Sequence, residues 1–348
     1  MRLSIIIPVY LVAPYIERCL ASVMQQEVSD VECLLIDDGG KDNSIKVAKQ
    51  FLVDYTGPIT FRFLTHPSNR GLSAARNTGI EAATGAYVLF LDGDDALTPG
   101  ALTALLNTAT AHPDVDIVQG NTTVEPEYIT LEESTAPAIK VDKHQYSLHA
   151  NLPDYTNQQS WLIKALLERK LIPVTSWNKL IRRTWLVDNN LWFKEGLFHE
   201  DEHWTFFAAS QASSLAFCKV ITYVHYIREG SIMRLQADRS ILSWFDIIND
   251  MVTHLEEPEA GIKRKVVLEV SFCNLVRIVV KGSKQDLTDR LAEQRRLLQP
   301  LQTTLNPRNK WLERWLLSWF RAPLWLLKIL CRPKIKGLYL RTLDFYKP

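Results

Sequence analysis

No two cysteines in this chain stand at a spacing that would hold a metal ion or signal a disulfide framework. The five, at positions 19, 33, 218, 273 and 331, are scattered and odd in number, which points to a reducing cytoplasm. Nor is a signal peptide expected: "MRLSIIIPVY" has too short an apolar run and meets Pro8, so it reads as a strand. No internal repeat and no low-complexity segment stands out. The 47% hydrophobic and 23% charged residues are those of an ordinary globular protein. At 348 residues the chain has room for one large domain or two ordinary ones with a sizeable core. Net charge is nearly absent at +1, but that figure hides an asymmetry. Residues 308–348 hold ten Lys/Arg against two Asp/Glu, +8, and the rest hold thirty against thirty-seven, −7. A basic tail on an acidic body suggests an anionic surface as partner.

What the first third does have is rhythm. Apolar runs at 3–9, 31–37, 60–65, 86–92 and 115–119 alternate with helical patterns near 14–26, 43–54, 72–83 and 99–111. Short apolar strands between amphipathic helices imply βαβ units and a mostly parallel sheet, an α/β fold. Ligands in such sheets collect at the carboxyl ends of the strands. Three polar clusters fall there: "PVY" at 8–10, "DDGG" at 37–40 and "DGDD" at 92–95. Residues 121–155 read as an irregular insertion over that edge, 215–226 as a strand, and 236–255, 260–281 and 286–298 as helices, with a linker between Pro300 and Pro307.

Asp92, Asp94 and Asp95 follow a buried strand with only Gly93 between them. Carboxylates so close repel one another unless a cation neutralises them. Helix capping needs one of the three and leaves Asp92 and Asp94 unexplained. Mg²⁺ or Mn²⁺ answers the repulsion, since such ions bind through one or two carboxylates with substrate phosphates completing the shell. A diphosphate is the expected guest. Arg76, one turn into a helix opened by Gly71, sits between two acidic strand ends where an anion could be held.

The ordered set "SIIIPVY", "LLIDDGGKDNS", "NRGLSAARNTGI", "GAYVLFLDGDD", "WNKLIRR", "FHEDEHW" and "YIREGSI" resembles the family 2 glycosyltransferases of the GT-A fold, over roughly residues 1–232. The resemblance implies inverting transfer from a nucleotide-diphosphate sugar, with a metal at an Asp-x-Asp motif. It places Pro8 and Tyr10 in the base pocket and gives Asp38 the reading of the base, usually uracil. Arg76 falls near the nucleotide, Asp92 faces the ribose and metal region, and Asp94 is the direct metal ligand. Arg228 and Ser231 belong to a loop that closes over the diphosphate, and Trp177 and Lys179 to an acceptor-side helix, with a place in the core as the alternative for Trp177. Leu11 and Gly40 depart from the usual Asn and Ser at their positions. The implied chain layout is a nucleotide-sugar half (1–120), an acceptor half (121–232), a helical extension (233–306) and a basic tail (307–348).

The second acidic site is "GLFHEDEHWTFF", where a helix is expected over about 202–210 with Glu200 and Asp201 at its N-terminus. Acids there can simply offset the helix dipole. An inverting displacement also needs a carboxylate to take the acceptor proton, and the family pair matches Glu200 and Asp201, with Asp201 the base. In the tail, Trp311, Trp315, Trp319 and Trp325 accompany Arg314, Arg321 and Lys328 at seven-residue intervals. An amphipathic helix of that kind lies in a bilayer interface, while charges and Pro323 rule out a span. A helix packed on the protein or in a dimer is the alternative. The expected enzyme is therefore cytoplasmic and peripheral on the inner face of the cell membrane. Its expected acceptor is a saccharide, lipid-linked in envelope polysaccharide assembly, and no nucleic acid is expected as partner. Transfer onto a polyprenyl phosphate and a non-catalytic nucleotide-sugar-binding scaffold stand as alternatives.

Overall fold

Apolar seven-residue runs bury their whole length when helices cover both faces of a parallel sheet, and β1 (Leu3–Val9) and β2 (Val31–Asp37) do so up to Asp37. A computed structural model describes residues 2–127, 146–148, 151–167, 171–227, 237–255, 260–281 and 286–345. The chain forms two units: Met1–Gly196 with Glu200–Glu229, and Leu197–His199 with Gly230–Pro348. The expected halves 1–120 and 121–232 thus lie almost wholly in the first unit.

The first unit continues through α1 (Ile16–Met24), α2 (Ser44–Phe51), β3 (Thr60–Thr65), α3 (Leu72–Ala82) and β4 (Tyr87–Phe90). Then come β5 (Ala96–Leu97), α4 (Ala101–Ala111), β6 (Ile117–Pro126), β7 (Tyr155–Thr156), α5 (Gln159–Leu167), β8 (Lys179–Arg182), α6 (Arg183–Asp188), α7 (Glu200–Gln211) and β9 (Leu215–Ile227). The sheet order is β3-β2-β1-β4-β8-β6-β9-β5, with β7 beside β9. β3, β2, β1 and β4 run parallel, and β8 is antiparallel to both β4 and β6. From β1 the chain builds outward through β2 and β3, then returns to place β4 on β1's other side. The carboxyl end of β1 is therefore a topological switch point, where a crevice opens. Under it, α1 buries Ile16, Cys19, Leu20 and Val23 against Ile5, Ile7, Leu35 and Leu89, each apolar side chain contributing about 1.5–3 kcal/mol.

Three expectations are corrected. Residues 121–126 are not irregular: β6 runs through them, paired parallel to β9 with register shifts at Gly120–Thr122. The helix at the second acidic site starts at Glu200, not 202, so both acids lie in its first turn. Trp177 and Lys179 do not belong to a helix: Lys179 opens β8, and α6 begins only at Arg183.

The second unit is helical: α8 (Ala237–Thr253), α9 (Ala260–Lys281), α10 (Leu287–Leu297), α11 (Gln299–Thr303), α12 (Lys310–Ser318), α13 (Leu324–Leu330) and α14 (Pro333–Thr342). The linker expected between Pro300 and Pro307 is thus partly helical. The tail is not one amphipathic helix. Ala322 and Arg332, each before a proline, are extended at ψ 144° and 146° and end the helical runs. Part of its aromatic face covers the unit's own core: Trp319 and Phe320 are buried, and Tyr339 stacks on Phe272 at 3.7 Å between centroids. Buried Glu313 accepts two 2.9 Å bonds from Arg264. Trp311 and Phe345 remain exposed and, with Arg308, line a groove of about 280 Å³. Among the described residues no helix is long and apolar enough to cross a membrane.

Candidate active site

At the carboxyl end of β1, Pro8 is buried within the strand and Tyr10 is half-buried just beyond it. Leu11 follows in the left-handed region at φ +55°. The next residues are pinned to the start of α2. Val12 N donates to Ser44 Oγ at 2.9 Å, Ala13 N donates to Asp42 Oδ2 at 3.0 Å, and the Ser44 hydroxyl donates to the same Asp42 oxygen at 2.6 Å. The segment "DDGGKDNS" thus fixes the loop above β1.

At the end of β2, Asp38 is buried. Its Oδ1 meets His66 Nδ1 at 2.7 Å and Arg70 N at 2.8 Å, and its Oδ2 accepts from Asn69 Nδ2 at 3.0 Å and Gly71 N at 2.8 Å. All four lone-pair positions of the carboxylate are engaged. A base would have to displace one of these donors to reach it. In this structure Asp38 anchors loop 66–71. Gly39, at φ +66°, admits that loop: a Cβ there would lie 2.7 Å from the Ser68 carbonyl carbon.

Arg76 is the centre of the site and faces carboxylates of the protein itself. Fully buried on α3, it donates through Nη1 to Glu200 Oε1 at 2.6 Å and Asp201 Oδ1 at 3.0 Å, and through Nη2 to Asp92 Oδ1 at 3.3 Å. The rings of Phe90 and Phe193 lie 5.8 and 5.3 Å from its guanidinium carbon. In this arrangement Arg76 is an ion-pair node joining the strand-end aspartate to the first turn of α7.

The three clustered aspartates separate into distinct roles. Asp95 is fully buried, and it accepts from the Tyr223 hydroxyl at 2.7 Å and Tyr226 N at 2.9 Å and meets His225 Nδ1 at 3.0 Å. Asp92 pairs with Arg76, and its N–H donates to the Tyr223 hydroxyl at 3.2 Å. Asp94 is half-buried, its carbonyl held by Arg18 at 2.7 Å. Part of the charge of this cluster is therefore answered within the protein, by Arg76 and His225. An excess remains: burial, and then Asp94 and Asp201 against the opposing Arg76, push the Asp92 carboxyl above its ordinary range. Burial and neighbouring Asp201 likewise push Glu200 up, to about 7, against the pull of Arg76.

That excess suits an oxygen-ligated divalent cation. Among the described residues no three His, Cys, Asp or Glu side chains form a metal cage by themselves. The donor set fits Mg²⁺ or Mn²⁺ held through Asp94, with Asp92 beside it and phosphate oxygens supplying the remainder.

Asp201 is half-buried, 19% exposed, in the first turn of α7. Lys179, fully buried, donates from Nζ to the carbonyls of Pro173 at 2.8 Å and Thr175 at 2.5 Å, and burial brings its ammonium down to about 7. Trp177 is core, stacked on Tyr223 and His225 at 4.7 and 5.4 Å. Tyr223, His225 and Arg18 were missed because nothing local marks them. Arg228 and Ser231 lie outside the described residues.

The family model described as Glycosyl transferase family 2 matches residues 4–170. YibD of Escherichia coli strain K12, a glycosyltransferase, is 32% identical over 67% of this chain, and the match spans only 64% of YibD's length. The glycosyltransferase AglE of Haloferax volcanii is 30% identical over 67% of this chain and 70% of its own. Among solved structures, residues 1–349 of S. aureus TarS with UDP-GlcNAc superpose with a TM-score of 0.66 at 18% identity, covering 99% of this chain and 91% of that one. The mannosyltransferase PcManGT of Pyrobaculum calidifontis, with GDP-Man and Mn²⁺, gives 0.56 at 14% identity over 99% and 86%. Both structural likenesses concern the fold.

Proposed function

The chain belongs to glycosyltransferase family 2, has the GT-A fold and is a glycosyltransferase, and on that footing we propose that it transfers a sugar, with inversion, from a nucleotide-diphosphate donor to a saccharide hydroxyl. The observation that supports this reading best is the Arg76 node, which ties Asp92 at the donor end to Glu200 and Asp201 at the acceptor end. Asp201 takes the proton of the acceptor hydroxyl as its oxygen attacks the anomeric carbon. The bond from that carbon to the diphosphate oxygen breaks on the opposite face. Arg76 holds Asp201 through Oδ1 and Glu200 through Oε1, so the base sits in a fixed position when the acceptor arrives. A divalent cation at Asp94 and Asp92 supplies positive charge to the diphosphate when bound.

UDP is the proposed nucleotide, by likeness to TarS, which was solved with UDP-GlcNAc. Arg228 and Ser231 are proposed to contact the diphosphate. A lipid-linked acceptor, in envelope polysaccharide assembly at the inner face of the cell membrane, is proposed with indirect support from the tail. There, exposed Trp311, Phe345, Leu338 and Ile329 accompany exposed Arg314, Arg321, Lys328, Arg332 and Arg341, and each basic residue near anionic lipid adds about 1 kcal/mol of attraction.

A screen of nucleotide sugars for Mn²⁺-dependent hydrolysis tests the donor reading, because slow hydrolysis needs no acceptor. Turnover of a UDP-sugar that stops on chelation is expected; binding without turnover of any donor would favour a non-catalytic scaffold. Saccharide and polyprenyl-phosphate acceptors, offered in parallel, decide between the two transfer chemistries. Flotation with anionic vesicles tests the tail, and equal flotation of the full chain and of a chain lacking residues 308–348 would overturn the membrane reading.

A further inference from the structure

Arg18 belongs to none of the motifs above, yet it grips the main chain of the residue assigned to the metal. It projects from α1 and makes two bonds to Glu127 just past the end of β6, Nη1 to Oε1 at 2.9 Å and Nη2 to Oε2 at 2.7 Å. Its guanidinium carbon lies 3.6 Å from the centre of the Tyr226 ring on β9, the distance of a stacked cation–π pair. From that braced position Nη2 also donates to the carbonyl of Asp94 at 2.7 Å. Glu127 is 11% exposed, so its charge is mostly withdrawn from water and the bidentate pair is well defined.

We propose that Arg18 is a positioning residue for Asp94: it fixes the main chain there and thereby sets how tightly this end of the site holds a divalent cation with a diphosphate. The inference rests on the proposed metal role of Asp94. Its physical basis is the local chain. Asp92 is anchored by Tyr223 and Arg76, and Asp95 by Tyr223, His225 and Tyr226. Gly93 gives the backbone between them more freedom than any other residue would. The Arg18 bond supplies the matching anchor at Asp94, so the carboxylate turns about a fixed Cα. Only a planar fork can serve Glu127 bidentately, stack on Tyr226 and still donate to a carbonyl; a lysine ammonium cannot do all three.

The test uses the full chain and three variants, Arg18→Lys, Glu127→Gln and Tyr226→Phe. Four quantities are read: Mn²⁺ affinity in the presence of UDP, by electron paramagnetic resonance; UDP affinity without metal; the Mn²⁺ dependence of donor hydrolysis; and amide exchange over residues 90–97 of the free protein. Arg18→Lys is expected to weaken Mn²⁺ about tenfold and speed exchange over 90–97, with metal-free UDP binding unchanged. For donor hydrolysis, the Mn²⁺ concentration needed should rise while kcat at saturating Mn²⁺ recovers. Glu127→Gln, which keeps the arginine and serves if Arg18→Lys does not fold, should give a smaller shift in the same direction, and Tyr226→Phe, which keeps the ring, none. Wild-type Mn²⁺ affinity in Arg18→Lys, or in Glu127→Gln if that variant must stand in, would overturn the inference while leaving the functional reading intact. Failure of the wild-type chain itself to bind Mn²⁺ with UDP would overturn both.

Discussion

At the amino ends of the parallel strands, buried Glu32 of β2 accepts from the Ser4 hydroxyl at 2.6 Å, from Thr84 N and Oγ1 at 2.7 Å each, and from Arg62 Nη1 at 2.7 Å. At their carboxyl ends, buried Glu200 shares the single guanidinium of Arg76 with Asp201 and Asp92. Burial raises both glutamates, but the Ser4, Thr84 and Arg62 bonds outweigh it at Glu32 and hold that carboxyl down at about 2. At Glu200 burial and Asp201 prevail, and the carboxyl stands at about 7. The same residue type is thus used in opposite senses at the two ends of one sheet. One carboxylate with four donors of its own is a fastening for the fold. Three carboxylates sharing one cation are a store of unneutralised charge, placed where open α/β sheets bind their ligands.

The largest effect should come from the charge-rich end. Asp201→Asn is expected to cut transfer by about 10²-fold or more, the scale of a lost general base, with donor affinity and melting temperature close to wild type. Glu200→Gln should be milder in transfer. If Glu200→Gln abolishes transfer and Asp201→Asn does not, the base is Glu200. If Asp201→Asn instead unfolds the protein, the carboxyl end is as structural as the amino end and the contrast fails.

Next in size is Asp94→Asn. Calorimetric titration with a nucleotide diphosphate should show affinity falling at least about tenfold with Mn²⁺ present and unchanged without it. Equal loss in both conditions would mean that Asp94 acts on the nucleotide or the fold and holds no metal.

The amino end predicts a pH dependence of stability. The Glu32 carboxyl is lower folded, at about 2, than its ordinary 4.5. Its stabilisation is therefore fully present above about pH 4.5 and is lost as pH falls toward 2. The shift sets an upper bound of about 3 kcal/mol, which solvent at the half-exposed Arg62 reduces. Denaturant titrations of the wild type and of Glu32→Gln should differ most near neutrality and converge near pH 2. Parallel curves across that window would show that the network around Glu32 contributes no charge-dependent stability.

How much of this could be seen in the residues alone depended on sequence separation. β1 and β2 fell where continuous apolar runs put them, because burial on both faces leaves a local mark, and the edge strand β3, only partly buried, fell at its expected place too. The carboxylates at strand ends were visible for the same reason: Asp92 and Asp94 break an apolar run abruptly. Their partners were visible only in part: Arg76 stood out between two acidic strand ends, but as a holder of a bound anion and not as the ion-pair partner of Asp92. Arg18 reaches Asp94 and Glu127 across 76 and 109 positions, and Arg76 reaches Asp201 across 125. No local period marks a cation whose purpose lies in another element. The tail misled for a different reason. Its seven-residue spacing of basic residues promised one helix, but Pro323 and Pro333 force the preceding residues into extended backbone, and Trp319 turns inward to Phe272 at 5.6 Å.

The smallest effect tests whether the two ends also differ in backbone strain. Each has a residue in the left-handed region next to a strand: Asp30 at φ +60° before β2, and Leu11 at φ +55° after β1. Aspartate enters that region at low cost, because its short side chain bonds locally; leucine does so against a penalty of roughly 1–2 kcal/mol. Leu11 is also 42% exposed, so replacing it removes little burial to offset the relief. Leu11→Asn should therefore raise stability by about 1 kcal/mol, whereas Asp30→Asn, exchanging one tolerant residue for another, should leave it nearly unchanged. Because the strained residue adjoins Tyr10 at the switch point, nucleotide affinity should shift in Leu11→Asn and not in Asp30→Asn. Equal stability changes in the two variants, read from denaturant midpoints, would show that strain does not distinguish the two ends and that the contrast is one of charge alone.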